Sequence, residues 1–241
     1  HLLSRRQRQM CIRDRYKQEH TMILYVIRHG ETKWNVERRL QGRSDVELNE
    51  YGIYLAEVTA EALKDVNFDV IYSSPLIRAY KTAEIIRGDR NINIITDDRL
   101  KEMSFGIYEG LPSNEVPADF ADFFAAPDKF KAMEGGESFQ DVIARTASFI
   151  EDVIVPASDS ISTMLVVAHG ALNNALAFNL LHRELKDYWA GVFPRNCSAS
   201  IYDIKGHDFK CLEYGKIYYK EDEKHTQKLK YTPDQDMGGK E

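Results

Sequence analysis

Two strongly apolar runs of the chain each lead directly to a histidine and a glycine. The run Met22–Ile27 precedes Arg28 and His29, and the run Met164–Ala168 precedes His169. Continuous apolar runs of this length are typical of buried parallel strands. If the two strands lie side by side, both imidazoles reach the carboxyl edge of the sheet, where open α/β sheets bind ligands. The arginine beside the first histidine indicates that the ligand is an anion.

The apolar pattern of the rest of the chain alternates between strands and helices. The predicted strands are Met22–Arg28, Asp69–Ser73, Ile92–Thr96 and Thr163–Ala168, with Ser198–Ile204 and Phe209–Tyr214 as a hairpin or two edge strands. The predicted helices are Asn49–Lys64 (capped by Asn49), Pro75–Arg87, Glu137–Val155 and Ala171–His182, with an irregular segment over 101–133. This alternation predicts a three-layer αβα sandwich with a largely parallel central sheet.

The two ends of the chain differ from its body in composition. Residues 1–21 carry six cations and two acids and lack the apolar core of a signal peptide. Part of this segment resembles a translated sequencing adapter, so we expect a non-native extension and a natural start at Met22, with a basic disordered arm as the alternative. Residues 221–241 are expected to be a disordered charged tail. The predicted folded domain is therefore 22–220.

Charge and cysteine content limit the partners. The formal net charge of the chain is −6, and it is −10 without residues 1–21. An acidic body disfavours nucleic acid and anionic membranes, and no apolar stretch is long enough to indicate a membrane span. Outside that segment the cysteines are Cys197 and Cys211, which form no CxxC motif or Cys/His cluster. We therefore expect no zinc site, no disulfide framework and a cytoplasmic location, and the oligomeric state stays open.

Two further segments carry charged groups that suit phosphate chemistry. The segment Ser73–Ala83 has the pattern of a strand, a turn and a helix start, with Arg78 in the first helical turn. A helix N-terminus binds anions, and a guanidinium holds a phosphate with two hydrogen bonds. Glu102 lies in an irregular, partly aromatic segment, where a carboxyl can act as an acid. The alternatives are a solvated helix arginine and an ordinary surface charge.

Together, these segments supply two imidazoles, two guanidiniums and one carboxyl. The chain has no Walker A motif, no Rossmann glycine fingerprint, no Gly-x-Ser-x-Gly motif and no metal-binding constellation. Phosphoryl transfer depends mainly on positioning and charge stabilisation, which arginines and histidines can provide. If these arginines and histidines hold the oxygens of a phosphoryl group, no metal and no cofactor is required.

The order of these motifs resembles the histidine phosphatase superfamily, which includes the cofactor-dependent phosphoglycerate mutases. The resemblance extends from Met22 to Tyr214, and each motif is weak alone but specific in this combination. The motifs are Arg-His-Gly-Glu-Thr at 28–32 followed by Trp-Asn, Ser-Ser-Pro-Leu-x-Arg-Ala at 73–79, Glu102 before Phe-Gly, Gly-Gly-Glu-Ser at 135–138, and Ala-His-Gly at 168–170. Tyr108 departs from the tryptophan of many members, which concerns the pocket wall rather than the chemistry.

The resemblance implies a catalytic role for each matching residue. His29 would attack phosphorus and form a phosphohistidine. Glu102 would protonate the leaving oxygen and then activate water. The implied phosphate-binding residues are Arg28, Asn35, Arg78, His169 and Gly170, of which Arg28, Arg78 and His169 also count as catalytic.

Within this family, the length of the segment between Glu102 and His169 helps to distinguish a phosphatase from a mutase. Glu102 and His169 are 67 positions apart, as in short phosphatase-type members. The acidic and aromatic stretch 108–133 is expected to be a lid or wall for a leaving group with little negative charge, or else a small packed helix. Trp34 and Trp189 are expected to be packing residues. The expected function is a metal-independent phosphomonoesterase acting on a small phosphorylated metabolite; the alternatives are a cofactor-dependent phosphoglycerate mutase and a non-catalytic phosphate-binding relative.

Overall fold

The computed structural model describes residues 21–191 and 193–220. The predicted non-native extension, apart from Thr21, and the predicted charged tail lie outside the described residues. In the described part, no helix has the length and apolar character needed to cross a membrane.

The centre of the fold is a mixed sheet. Its strands are β1 (Met22–Arg28), β2 (Val70–Ser73), β3 (Ile94–Thr96), β4 (Thr163–Ala168), β5 (Ala199–Lys205) and β6 (Asp208–Lys216). They lie in the order β3-β2-β4-β1-β5-β6. The first four are parallel, and β5 and β6 form an antiparallel hairpin at one edge. The predicted, largely parallel sheet is confirmed.

Helices cover both faces of this sheet. They are α1 (Lys33–Val36), α2 (Glu50–Ala62), α3 (Ile77–Arg87), α4 (Asp122–Ala125), α5 (Phe139–Phe149), α6 (Val155–Ala157) and α7 (Gly170–Leu180). The helices α2 and α3 pack together, as do α5 and α7. Successive residues of β1 divide between two cores, because Leu24 and Val26 contact the α5 and α7 side and Ile27 contacts the α3 side. The predicted three-layer αβα sandwich is confirmed.

Helix α3 begins later than its sequence predicts. Pro75 was expected at the first helical position, but the helix starts at Ile77 with Leu76 as an extended N-cap residue. The hydroxyl of Ser74 does not cap the helix, since it accepts from the Leu76 N–H at 3.3 Å and lies 2.8 Å from His169 Nε2. The serine hydroxyl therefore connects the helix start to the second histidine.

The predicted helix Glu137–Val155 is divided in the structure. Ser138 caps α5 and forms a reciprocal capping box with Asp141, so Glu137 lies outside the helix. After α5 the backbone widens into a π-helical segment, Ile150–Ile154, before α6. Pro156 follows this segment, and its missing N–H and its ring oppose a regular α-helical turn.

Candidate active site

The two histidines meet at the carboxyl ends of β1 and β4. These strands are direct parallel neighbours, with Arg28 opposite Ala168, and the His29 N–H donates to the Ala168 carbonyl at 2.9 Å. The ring centroids of His29 and His169 are 5.2 Å apart. Both side chains are buried. The strand pattern thus brings the imidazoles together as the sequence predicts.

The hydrogen bonding of His29 selects one tautomer. Its Nδ1 lies 2.6 Å from the carbonyl oxygen of Gly30. A carbonyl oxygen can only accept, so Nδ1 carries the proton and Nε2 keeps its lone pair. Burial, then the charges of Arg78 and Arg28, hold the pKa of His29 well below its usual range. The ring is therefore neutral at physiological pH, and Nε2 carries a free lone pair.

Two buried arginines flank this ring. Arg28 donates from Nη1 to the Pro194 carbonyl at 2.7 Å. Arg78 is fully buried and donates to the carbonyl oxygens of Ser44 and Gly42, both at 2.7 Å. Burial lowers the pKa of Arg78 to about 10, so it remains charged at neutral pH. Because both guanidiniums donate to neutral carbonyl oxygens and not to carboxylates in these hydrogen bonds, the bonds leave their positive charge available to a ligand.

Three buried nitrogens around His29 have no hydrogen-bond partner among the described residues. They are Nε of Arg28, Nε of Arg78 and Nδ1 of His169. Buried polar groups in folded proteins are nearly always paired, so orphaned groups require an explanation. All three belong to basic side chains in one cluster. The residues present therefore fit an anionic ligand.

Asn35 is held so that its amide nitrogen remains available. Its Oδ1 accepts from the Thr32 N–H at 3.1 Å and from Asn196 Nδ2 at 3.3 Å. The same Asn196 nitrogen donates to the His29 carbonyl at 3.0 Å. Asn35 lines the cavity described below, where its NH₂ group can donate to a bound oxygen. Sequence reasoning missed Asn196, which belongs to no motif and lies far from His29 in the chain.

Glu102 occupies the N-terminus of α7. Its Oε1 accepts from the N–H groups of Met103 at 2.9 Å and Leu172 at 3.0 Å. Its Oε2 accepts from the Ala171 N–H alone, at 3.2 Å. A Cβ added to Gly170 would lie 3.7 Å from Oε2, so the glycine leaves space beside the carboxyl. The carboxyl and the helix N-terminus thus face one cavity from the same side.

The cavity has a volume of about 130 Å³ and two different walls. Of the predicted site residues, those on its surface are Arg28, His29, Asn35, Arg78, Glu102 and Gly170. His169 is not among the lining residues, although its ring is 5.2 Å from that of His29. The opposite wall is aromatic and consists of Phe105, Phe120, Phe123, Phe124, Trp189 and Phe193. Within the described residues, no group of His, Cys, Asp or Glu side chains could hold a metal ion.

Part of the aromatic wall was predicted from the sequence, namely the stretch 108–133, whereas the contribution of Trp189 and Phe193 was not. The stretch 108–133 contributes three phenylalanines, as expected for a pocket wall, and also a one-turn helix, α4. Trp189 packs on Phe139 and Phe123 as expected, and it also lines the cavity. Phe193 stacks on Trp189 and lies 5.6 Å from the Arg28 guanidinium. No pattern in the sequence near 189–193 indicated this role.

Glu109 secures the loop that holds Arg78. Its carboxylate accepts from the Arg43 N–H at 2.9 Å, from the Ser44 hydroxyl at 2.8 Å and from the Phe105 N–H at 3.1 Å. The Gly42 and Ser44 carbonyls that bind Arg78 belong to this same loop. Sequence reasoning treated Glu109 as one of several acids of the pocket wall. In the structure it is a positioning residue, although its sequence neighbourhood carries no signal of this contact.

The two buried histidines predict a loss of stability on acidification. Both pKa values are lowered well below 6.5, first by burial and then by neighbouring cations. Below pH 6.5 the unfolded chain binds protons at these positions and the folded chain does not, so stability present above pH 6.5 is lost as the pH falls. From pH 7.5 to 5.5 the free energy of unfolding should drop by about 2.7 kcal/mol for the pair. Urea denaturation measures this drop.

The control for this prediction separates buried from exposed imidazoles. A double variant, His29→Asn with His169→Asn, should lose most of the pH dependence in this window. His207→Asn should retain it, because His207 is exposed and pairs with Glu151. An equal pH slope in the double variant and the parent protein would show that other groups cause it.

Comparisons with known proteins agree with this geometry. The chain matches the family model of the histidine phosphatase superfamily (branch 1) over residues 24–217. It is 36% identical over 171 residues to phosphoserine phosphatase 1 of Hydrogenobacter thermophilus, which covers 69% of this chain and 80% of that protein. It is 33% identical over 197 residues to a probable 2-carboxy-D-arabinitol-1-phosphatase of Arabidopsis thaliana, covering 80% of this chain and 40% of that longer protein.

A solved structure supports the same relationship. Bacillus stearothermophilus YhfR superposes on the chain with a TM-score of 0.77 at 36% sequence identity. The match covers 81% of this chain and 98% of that one. The fold similarity therefore includes nearly all of the other protein.

Proposed function

Because the chain belongs to the histidine phosphatase superfamily, we propose that it is a metal-independent phosphomonoesterase that hydrolyses a small phosphorylated metabolite through a phosphohistidine. The observation that carries the proposal is the His29 ring, whose Nδ1 is engaged with the Gly30 carbonyl so that Nε2 is unprotonated, in a cavity that two buried arginines, Arg28 and Arg78, also line. The two relatives from Hydrogenobacter thermophilus and Arabidopsis thaliana are named as phosphatases of small phosphorylated compounds, which supports the reaction class.

In the first step, His29 Nε2 attacks phosphorus and forms a P–N bond. The P–O bond to the leaving alcohol breaks, and Glu102 donates the proton that this oxygen needs. We assign that proton to Oε2, since Oε2 accepts a single hydrogen bond while Oε1 accepts two. The N–H at Nδ1 stays on the Gly30 carbonyl and stabilises the positive charge that the ring gains.

In the second step, water attacks the phosphohistidine. Glu102, now a carboxylate, takes a proton from the water as its oxygen bonds to phosphorus, and the P–N bond breaks. Inorganic phosphate leaves, and His29 returns to the neutral tautomer. Arg28 and Arg78 hold the equatorial oxygens in both steps, where fixed positive charge is most effective in a water-poor site. We assign Asn35 and Gly170 to the same group of oxygens, together with His169, whose ring centroid lies 5.2 Å from that of His29 and whose Nδ1 has no partner among the described residues.

The aromatic wall defines where the leaving group lies. The phosphoryl group occupies the basic end of the cavity, so the remainder of the metabolite extends along Phe120, Phe124 and Trp189. We propose that residues 22–220 form the catalytic domain. We also propose a cytoplasmic location, which the free thiols of Cys197 and Cys211 favour.

Phosphate release from 4-nitrophenyl phosphate tests this function. The purified protein should turn over without added divalent metal and retain its rate in the presence of EDTA. Loss of activity in EDTA that returns with a metal would contradict a metal-independent reaction. Interconversion of the two monophosphoglycerates that requires a bisphosphoglycerate primer, without net phosphate release, would instead identify a mutase. Absence of both activities, with phosphate still bound, would identify a non-catalytic relative.

A further inference from the structure

The glutamate of the Gly-Gly-Glu-Ser motif takes no part in the reaction steps above, but it forms an ion pair with an arginine of α5. Arg145 Nε and Nη2 donate to different oxygens of the Glu137 carboxylate, both at 3.1 Å. This bidentate arrangement is strong and fixes the orientation of both side chains. Only 14% of the Arg145 side chain and 16% of the Glu137 side chain are exposed. Water therefore screens this pair less than it screens a surface ion pair.

The same pair holds the backbone on both sides of Glu102. Before Glu102, the third guanidinium nitrogen, Arg145 Nη1, donates to the Lys101 carbonyl at 2.7 Å. After Glu102, the Ser104 N–H donates to Glu137 Oε2 at 2.9 Å. One ion pair thus grips the chain one residue before and two residues after the proposed general acid.

The segment that carries Glu102 has no regular secondary structure to hold it. Residues 101–104 belong to no helix or strand. Backbone groups outside regular elements take their hydrogen bonds from whichever segment packs beside them. Besides the side-chain contact, the Glu137 N–H donates to the Ser104 carbonyl at 2.9 Å. The conformation around Glu102 therefore depends on Glu137 and its partner.

We propose that Arg145 and Glu137 are positioning residues that keep the Glu102 carboxyl at the cavity and at the N-terminus of α7. This inference rests on the proposed function of Glu102 as acid and base. Proton transfer needs the carboxyl within hydrogen-bond reach of the leaving oxygen, and a displacement of about 1 Å can cost about 10²-fold in rate. A lysine could not replace the arginine, because it cannot hold a carboxylate and a carbonyl in one fixed planar geometry.

The leaving group distinguishes loss of positioning from a general loss of activity. In Arg145→Lys, kcat/KM for an alkyl phosphate should fall by about 10- to 100-fold, because a displaced Glu102 donates its proton less well. For 4-nitrophenyl phosphate, kcat/KM should change by less than about twofold, since nitrophenolate leaves without a proton. Glu137→Gln keeps the size of the side chain, removes its charge and should act in the same direction.

Arg90→Lys is a matched control for the loss of a structural arginine. Arg90 donates to four backbone carbonyl oxygens at the C-terminal ends of α2 and α3. These bonds join two helix ends and not the segment of Glu102. The variant should lower the free energy of unfolding, as Arg145→Lys does, because lysine cannot reproduce the planar fork. It should leave the ratio of the two kcat/KM values unchanged.

Amide hydrogen exchange tests the positioning without turnover. The N–H groups of Ala171 and Leu172 lie in the first turn of α7, where they have no intrahelical acceptor, and they donate to Glu102 at 3.2 and 3.0 Å. Their exchange therefore reports where the Glu102 carboxyl lies. In Arg145→Lys and in Glu137→Gln, both groups should exchange about tenfold faster than in the wild type, and in the control they should not.

The two measurements separate this inference from the proposed reaction. Faster exchange supports the inference even if the wild type releases no phosphate, an outcome that would reject the proposed function alone. Unchanged exchange at Ala171 and Leu172 in Arg145→Lys would overturn the inference. An unchanged rate with the alkyl phosphate, an equal fall with both substrates, or the same changes in Arg90→Lys would overturn it as well.

Discussion

Replacing His29 with alanine is expected to lower kcat by about 10⁴-fold or more, because the variant lacks the only atom proposed to accept the phosphoryl group. The two buried guanidiniums remain, so the variant should still bind phosphate. The measurement is phosphate release at saturating substrate, together with calorimetric binding of inorganic phosphate. Retained binding shows that the loss of turnover does not come from a collapsed site.

The same experiment identifies the reacting atom. Rapid acid-free quenching of the wild type with a labelled substrate should trap a phosphoryl group on Nε2 of His29, since Nδ1 is engaged with the Gly30 carbonyl. His207→Ala serves as the control, because its imidazole is exposed and is not among the residues that line the cavity. Phosphate attached to another histidine, or substantial turnover by His29→Ala, would reject the assigned nucleophile.

Replacing Glu102 with glutamine is expected to affect substrates according to their leaving groups. For an alkyl phosphate, kcat/KM should fall by about 10²–10⁴-fold, because the alkoxide cannot leave without a proton. For 4-nitrophenyl phosphate the first step should change little, since nitrophenolate is stable without protonation. Glutamine keeps one carbonyl oxygen to accept from the N–H groups at the start of α7, so the fold should persist.

The second step gives this variant a distinct kinetic signature. Hydrolysis of the phosphohistidine requires Glu102 as a base whatever the substrate was. Glu102→Gln should therefore release one equivalent of nitrophenolate in a burst and then turn over slowly. Glu61→Gln, which changes a carboxylate on the exposed surface of α2, should show neither effect. An equal loss on both substrates without a burst would show that Glu102 acts through the structure of the site.

The sequence predicted the features that depend on local pattern. The apolar runs before His29 and His169 identified two buried strands, because a strand covered on both faces needs a continuous apolar segment. Asn49 was correctly predicted to cap α2, where it accepts from the Gly52 N–H at 2.7 Å, since a cap requires only a short polar side chain three residues away. The histidines, the buried arginines and Glu102 were identified by their order along the chain.

The sequence pattern was less informative at positions where a contact with a distant residue overrides the preference of the neighbouring residues. Pro75 favours a helix start, yet the neighbouring Ser74 hydroxyl is engaged with His169 and the helix begins at Ile77. Trp189 was predicted to be a packing residue and packs on Phe123 and Phe139, but it also lines the cavity. A single sequence does not distinguish an aromatic residue that is buried in the core from one that lines a cavity.

The amino-acid sequence by itself determined the layered fold, the meeting of two imidazoles at one sheet edge and the anionic character of the ligand, because periodicity and motif order carry that information. Only the tertiary structure decided that Asn196 donates to the His29 carbonyl and that Glu102 faces the cavity from the N-terminus of α7. These contacts join residues that are distant along the chain, and they arise from how the loops pack on one another. The amino-acid sequence of a loop does not by itself indicate which distant segment the loop will contact in the folded protein.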